Sequence, residues 1–253
     1  MNRLVVIGLG VLLCLVPTAS WPAGDVPPSD ACPDADGFTA SGEKLDALTA
    51  AIKAGGPVDV LAVGSATTVG ADRDAGGLSF PYHTVEALRA ALPTVAFRLT
   101  VKGGRGMSAQ EMVPVIDAQV AAHGFPLVLW QTGTVEAVRG ARPDSLHAAL
   151  AIGVQHIRAR GGDTVLIDPN YSRTLRANAE IDPYIQVMRQ IADLPGVVLF
   201  PRYDLTRAWI EKGQLDVEKV PKADRTAAVD ALHRCVGDAL ARFVLNSLRQ
   251  IKP

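Results

Sequence analysis

The chain has 253 residues with 25 basic and 26 acidic side chains, a near balance with no run of five or more like charges, which argues against a nucleic-acid surface. Aromatic residues make up only 5%, while Ala, Val, Leu and Gly are abundant, as suits helices packed closely on a sheet. The length accommodates one sizeable core, and a single α/β domain fits better than two.

The N-terminus has the form of an export signal. Arg3 precedes the apolar run Leu4 to Val16, followed by Pro17 and small residues around Thr18-Ala19-Ser20. Such a run is too short to span a bilayer comfortably. Residues 1–20 are therefore expected to direct export to the periplasm or the medium, with cleavage after Ser20 or Ala23; an uncleaved N-terminal anchor is the alternative. Cys14 lacks a small residue before it, against a lipoprotein site. Loss of the leader leaves Cys32 and Cys235 in an oxidising compartment, where an even count suggests one disulfide and two separate thiols are the alternative. In the chain-entropy model, closing so long a loop contributes on the order of 4 kcal/mol.

Residues 21–40 are rich in Pro, Asp, Ser and Gly and are expected as an extended linker carrying Cys32, ahead of one α/β domain over residues 41–253. Leu45, Leu48, Ala51 and Ile52 have helical spacing, stopped by Gly55-Gly56. Val58 to Val63 is an apolar, β-branched strand that ends at Gly64-Ser65, so Ser65 stands at the carboxyl end of a buried strand, where open α/β sheets form their sites. The Gly- and Asp-rich stretch from Gly70 to Phe80 is expected to line a cleft. Thr84 is expected to cap a helix to about Leu92, and Val95 to Val101 alternates as a second strand.

Gly103-Gly104-Arg105-Gly106 follows, and Ser108 with Glu111 has capping-box spacing for a helix to about His123. No GKS, GKT or GxGxxG completes a nucleotide motif. Pro126 to Gln131 is the third strand and leads into Thr132-Gly133-Thr134-Val135-Glu136. Pro143-Asp144 opens a helix to about Arg160, Thr164 to Ile167 is the fourth strand, Asp182-Pro183 opens another helix, and Val197 to Phe200 is the fifth strand. Five strands separated mostly by helices predict a parallel sheet with helices on both faces, a three-layer α/β/α sandwich. Ala223 to Leu248 reads as the last helix. Within it Asp230 and His233 are three residues apart on one face, as a carboxylate orienting an imidazole requires.

These segments, in this order, resemble the SGNH/GDSL hydrolase family. Val63-Gly64-Ser65-Ala66-Thr67-Thr68 is similar to its serine block, with Gly64 where the family usually has Asp. Gly103-Gly104-Arg105-Gly106-Met107-Ser108 is similar to the second block, Trp130-Gln131-Thr132-Gly133-Thr134 to the approach to the third, and Asp230-Ala231-Leu232-His233 to the terminal pair. The resemblance implies a flavodoxin-like SGNH hydrolase fold. It also implies acyl transfer by Ser65, with His233 as base, Asp230 orienting it, and the Ser65 and Gly106 amides as the oxyanion hole.

Two departures bear on the chemistry. Val135 stands where the family has Asn and cannot donate a side-chain hydrogen bond; losing one such donor costs about 2.7–4 kcal/mol in comparable enzymes. Gln131 or Thr134 could substitute. Leu232 and Arg234 flank the histidine where the family commonly has Gly and Pro, which would set it within a helix, so His83 is held as reserve base. His123, His147 and His156 fall on helices as surface residues. No metal-ligand spacing is evident, and no cofactor or metal is expected. The implied activity is an exported serine esterase acting on small-molecule or glycan acyl esters, O-acetyl groups of envelope glycans for example. The alternatives are an O-acyltransferase and a catalytically degenerate binding or structural protein of the same fold.

Overall fold

The computed structural model describes residues 32–41, 45–70 and 79–248, which belong to one compact unit. The expected leader, Cys14 and most of the expected cleft-lining stretch lie outside these residues. In chain order the helices are α1 (Asp36–Thr39), α2 (Asp46–Ala54), α3 (Ala66–Val69), α4 (Phe80–Ala91), α5 (Ala109–Ala122), α6 (Thr134–Arg139), α7 (Pro143–Ala159), α8 (Arg173–Asn178), α9 (Asp182–Ala192), α10 (Arg202–Glu211) and α11 (Arg225–Ser247). The strands are β1 (Val58–Gly64), β2 (Phe97–Gly103), β3 (Leu127–Gln131), β4 (Asp163–Ile167) and β5 (Val197–Phe200).

All strand pairs are parallel and the order is β2-β1-β3-β4-β5. The strands read as near-continuous apolar runs because both faces of the sheet are covered. Alternate residues serve opposite cores. Val60, Ala62, Leu127, Leu129, Val165 and Ile167 face a cluster with α2, α4, α10 and α11, while Leu61, Val63, Val128, Trp130 and Leu166 face one with α5, α7 and α9. This is the expected three-layer α/β/α sandwich, with chain reversal between β1 and β3.

Helices α4 and α11 lie very close. A Cβ on Gly237 would fall 2.5 Å from the His83 Cβ and 2.9 Å from the Phe80 carbonyl oxygen, so only glycine permits this approach. Capping is as read for α5, where Ser108 Oγ accepts from the Glu111 N–H and Glu111 accepts from the Ser108 N–H at 2.8 Å. It differs at α4. Ser79 is the N-cap and Pro81 lies in the first turn, whereas Thr84 is buried inside the helix with its hydroxyl on the Phe80 carbonyl at 2.9 Å.

Residues 32–40 also differ from an extended linker. They form α1 and dock on α10 and α11 through backbone carbonyls that composition does not reveal. Trp209 Nε1 donates to Asp34 O at 2.9 Å, Asn246 Nδ2 donates to Thr39 O at 3.0 Å, and Ala35 is buried. Cys32 and Cys235 form the disulfide, with Cα atoms 5.2 Å apart, inside the range that the bond requires. Helices α8 and α10 were not anticipated from periodicity.

Candidate active site

In a sheet of this order the chain leaves β1 toward one face and β3 toward the other, so a crevice opens at their carboxyl ends. Ser65 stands there. It follows the last residue of β1, stands at the N-cap of α3 with extended backbone, and is 8% exposed.

Its setting explains the glycine before it. A Cβ at residue 64 would lie 2.1 Å from Thr68 Oγ1 and 3.0 Å from the Gln131 Cβ, so no larger residue fits. The neighbouring Gly103 has φ +121°, and a Cβ there would meet the Gly64 carbonyl oxygen at 2.0 Å. The Gly104 N–H donates to that same oxygen at 3.2 Å, which carries the β1–β2 pairing past the strand ends and draws the second block alongside the first.

Gln131, last residue of β3, is the hub beneath Ser65. Its Oε1 faces the Ser65 N–H at 3.1 Å, Ser65 Oγ at 3.0 Å, Thr68 Oγ1 at 3.2 Å and Thr67 Oγ1 at 3.4 Å. The backbone N–H can only donate, so it fixes which end of the amide points here. A carbonyl oxygen has two lone pairs, so the three hydroxyls share what the N–H leaves. One expectation changes: Gln131 turns its acceptor, not a donor, toward Ser65, and the Ser65 N–H bonds that acceptor in this structure. The hydrogen bond of the Ser65 hydroxyl likewise runs to Gln131.

The second block is gripped by α6. Gly106 has φ +77°, and its carbonyl accepts from Arg139 Nη2 at 2.9 Å. Buried Glu136 accepts from the Ala109 N–H at the start of α5, from the Gly133 N–H at 3.0 Å and from Thr132 Oγ1 at 3.3 Å. Thr134 and Val135 lie half-buried in the first turn of α6, and Val135 adds no donor.

Asp230 and His233 lie on the uninterrupted helix α11, as their flanking residues suggested, and both are half-buried. Asp230 Oδ1 is buried without a hydrogen-bond partner among the described residues. His83 is elsewhere. Its Cβ packs at Gly237 and its Nδ1 lies 3.8 Å from Glu86, in the α4–α11 seam. His123 and His147 are exposed, and His156 pairs with Asp117 at 3.3 Å on the outer side of α5 and α7.

Sequence reading missed two buried ionisable side chains, Asp168 and Arg202, at the ends of β4 and β5. Arg202 is 2% exposed, and no carboxylate lies within salt-bridge distance among the described residues. Its Nε donates to the Asp168 carbonyl at 2.9 Å, its Nη1 lies 3.4 Å from Thr67 Oγ1, and its guanidinium stacks 5.4 Å from the Phe80 ring centre. Burial pulls it down to about 10, so it remains cationic at neutral pH. The Asp168 carboxylate accepts from the Tyr203 N–H at 2.7 Å, while its Oδ2 is buried without a hydrogen-bond partner among the described residues. Burial pushes Asp168 up to about 7. The only sequence cue was position: Asp168 and Arg202 follow strands at the same edge as Ser65.

No group of three or more metal-ligating side chains, and no helix long and apolar enough to cross a membrane, occurs among the described residues. No curated protein matches the chain by sequence. Among solved structures, Axe2, an acetylxylan esterase from Geobacillus stearothermophilus, is similar at a TM-score of 0.57 and 19% identity, over 75% of this chain and 95% of that one. TesA is similar at 0.53 and 20%, over 72% and 97%. LAE5, an alpha/beta hydrolase enzyme from the metagenome of Lake Arreo, Spain, is similar at 0.56 and 17%, over 73% and 97%. These likenesses establish the fold as that of SGNH-type esterases. A family model described as non-GDSL lipase-like matches residues 31–250, in keeping with a serine block that has Gly64 where the GDSL pattern has Asp. On these grounds the chain belongs to the non-GDSL lipase-like family.

Proposed function

We propose that the chain is an exported serine esterase that works by acyl transfer at Ser65. The observation that carries the reading is the position of Ser65, at the carboxyl end of β1 in the crevice of the sheet of a lipase-like family member. Support comes also from Axe2, for which replacement of one serine and of one histidine each gives what is described as a catalytic mutant.

In this reading Ser65 Oγ attacks the ester carbonyl carbon and its proton passes to His233, whose tautomer Asp230 holds. The carbonyl oxygen becomes an oxyanion that accepts from the Gly106 N–H, and from the Ser65 N–H once that group exchanges Gln131 for the stronger anionic acceptor. Collapse breaks the bond to the alcohol oxygen, which takes the proton from His233. Water then repeats the sequence on the acyl-enzyme and regenerates Ser65. If a sugar hydroxyl takes the place of water, the same site acts as an O-acyltransferase. The substrate class proposed is a small or glycan-borne acyl ester, acetyl first, on the strength of the export signal and the acetylxylan esterase among the similar folds.

The engagement of both Ser65 donors by Gln131, together with Val135, favours one second reading: a protein of this fold that binds esters without turning them over. A screen of acyl chain lengths with wild type and Ser65→Ala separates them. The proposal predicts hydrolysis, greatest for short acyl groups, that falls by roughly 10⁴-fold or more in the variant. Turnover that survives in Ser65→Ala, or none in wild type, would remove it.

A further inference from the structure

The third block leaves the site a donor short at Val135, and the helix that carries Val135 supplies a cation from one turn further on. Arg139 is four residues beyond Val135, on the same face of α6. Its guanidinium turns back over the loop after β2, where Nη2 donates to the Gly106 carbonyl at 2.9 Å and Nη1 lies 3.4 Å from Glu111 Oε2. A Cβ on Gly106 would be 3.9 Å from Nη2, so the charge lies directly against this glycine. Glu111 in turn accepts from the N–H and hydroxyl of Ser108, and Glu136 of the same short helix holds the Ala109 N–H. The loop that contains Gly106 is thereby tied to α6 at Gly106 and where it enters α5, and of these ties only Arg139 bonds Gly106 itself.

We infer that Arg139 is the positioning residue of the oxyanion hole: it holds the Gly106 carbonyl, in the Gly106–Met107 peptide, and through the Gly106 Cα restrains the preceding Arg105–Gly106 peptide, whose N–H meets the developing charge, offsetting part of what Val135 cannot supply. The inference rests on the reading of Gly106 as the oxyanion glycine. The mechanism is geometric first. The Arg139 side chain is 54% exposed and shares its charge with Glu111, so solvent weakens its direct field at the reacting carbonyl. What remains strong is the charge-assisted bond that fixes the Gly106–Met107 peptide.

This separates function from stability. An exposed pair such as Arg139 with Glu111 contributes little to folding, so its removal leaves the unfolding midpoint nearly unchanged, whereas a hole donor out of place slows the chemical step. The test compares Arg139→Met, Arg139→Lys and, as control, Arg142→Met, whose side chain is 81% exposed and bonds Asp144. The full chain is assayed on p-nitrophenyl acetate for kcat and KM, and for inhibition by a trifluoromethyl ketone that forms a tetrahedral adduct. Arg139→Met is expected to lose roughly 10- to 100-fold in kcat, short of the loss of a direct donor, with KM within about twofold. Its affinity for the ketone should fall by the same factor as kcat, Arg139→Lys should recover part, and Arg142→Met should match wild type. Wild-type kcat in Arg139→Met, or a fall with ketone affinity unchanged, overturns the inference. If Ser65→Ala is inactive while Arg139→Met behaves as wild type, the serine esterase reading stands and this inference alone fails; turnover retained in Ser65→Ala removes both.

Discussion

At the scale of single residues, the crevice is built from polar groups withdrawn from water. Gln131 satisfies the Ser65 N–H and gathers three hydroxyls, and Arg202 reaches the same cluster through Thr67. Asp168 is the group in this cluster that titrates near neutrality. Burial pushes its carboxyl from the ordinary value of 3.8 up to about 7, so the folded chain holds that proton more tightly than the unfolded chain does. Between about pH 4 and pH 7 the folded state therefore binds more protons, and this group's contribution to stability is fully present below about pH 4 and lost as pH rises through about 7. Asp163, pushed up to about 6 by burial at the opposite end of β4, acts in the same sense. Urea denaturation of wild type and Asp168→Asn at several pH values isolates the first group. Wild type is expected to lose stability relative to the variant as pH rises from 5 to 8, and parallel curves would refute the assignment. Ser65 was legible as a serine at a strand end followed by small residues. Arg202 and Asp168 were not, because lone charged residues after strands read as ordinary turn residues until burial is known.

At the scale of elements, α11 combines two tasks. It fills the core under the sheet with Leu232, Val236, Leu240 and Val244, and it carries Asp230 and His233 toward its N-terminal end. The disulfide fastens the segment before α1 to Cys235, two residues after His233, across a separation of 203 residues. Replacing both cysteines by serine is expected to lower stability by about 2–5 kcal/mol, the range typical for loss of a native disulfide, measured as a shift of the urea midpoint at constant slope; an unchanged midpoint would mean that the docked carbonyls of residues 34 and 39 hold the segment by themselves. The strands, the capping box at Ser108 and the long last helix could be read from apolar runs and spacing. The start of α4 could not, since Thr84 has the chemistry of a cap and only its burial against Phe80 shows it to be interior. Residues 32–40 misled for the converse reason: their anchoring uses main-chain carbonyls and one helical turn, to which composition is blind.

At the scale of the whole molecule, strand order does most to define the site. Parallel pairing in the order β2-β1-β3-β4-β5 brings Gly103, Ser65, Gln131, Asp168 and Arg202 to one edge, although they span more than half the chain. Alternation of apolar runs with helices made this architecture legible before any contact was known. Family resemblance added the order of the blocks and the gap at Val135, whereas the turn of Gln131 toward Ser65 and the grip of Arg139 on Gly106 appear only in three dimensions. The central claim is that this edge makes Ser65 a nucleophile with His233 as its base. Labelling of the full chain with a fluorophosphonate, followed by mass spectrometry of the digested protein, tests it most directly. The account predicts one adduct, on Ser65, formed rapidly by wild type and abolished in His233→Ala with the fold intact; an unlabelled Ser65 under conditions that label an active esterase, or labelling unaffected by His233→Ala, would contradict it.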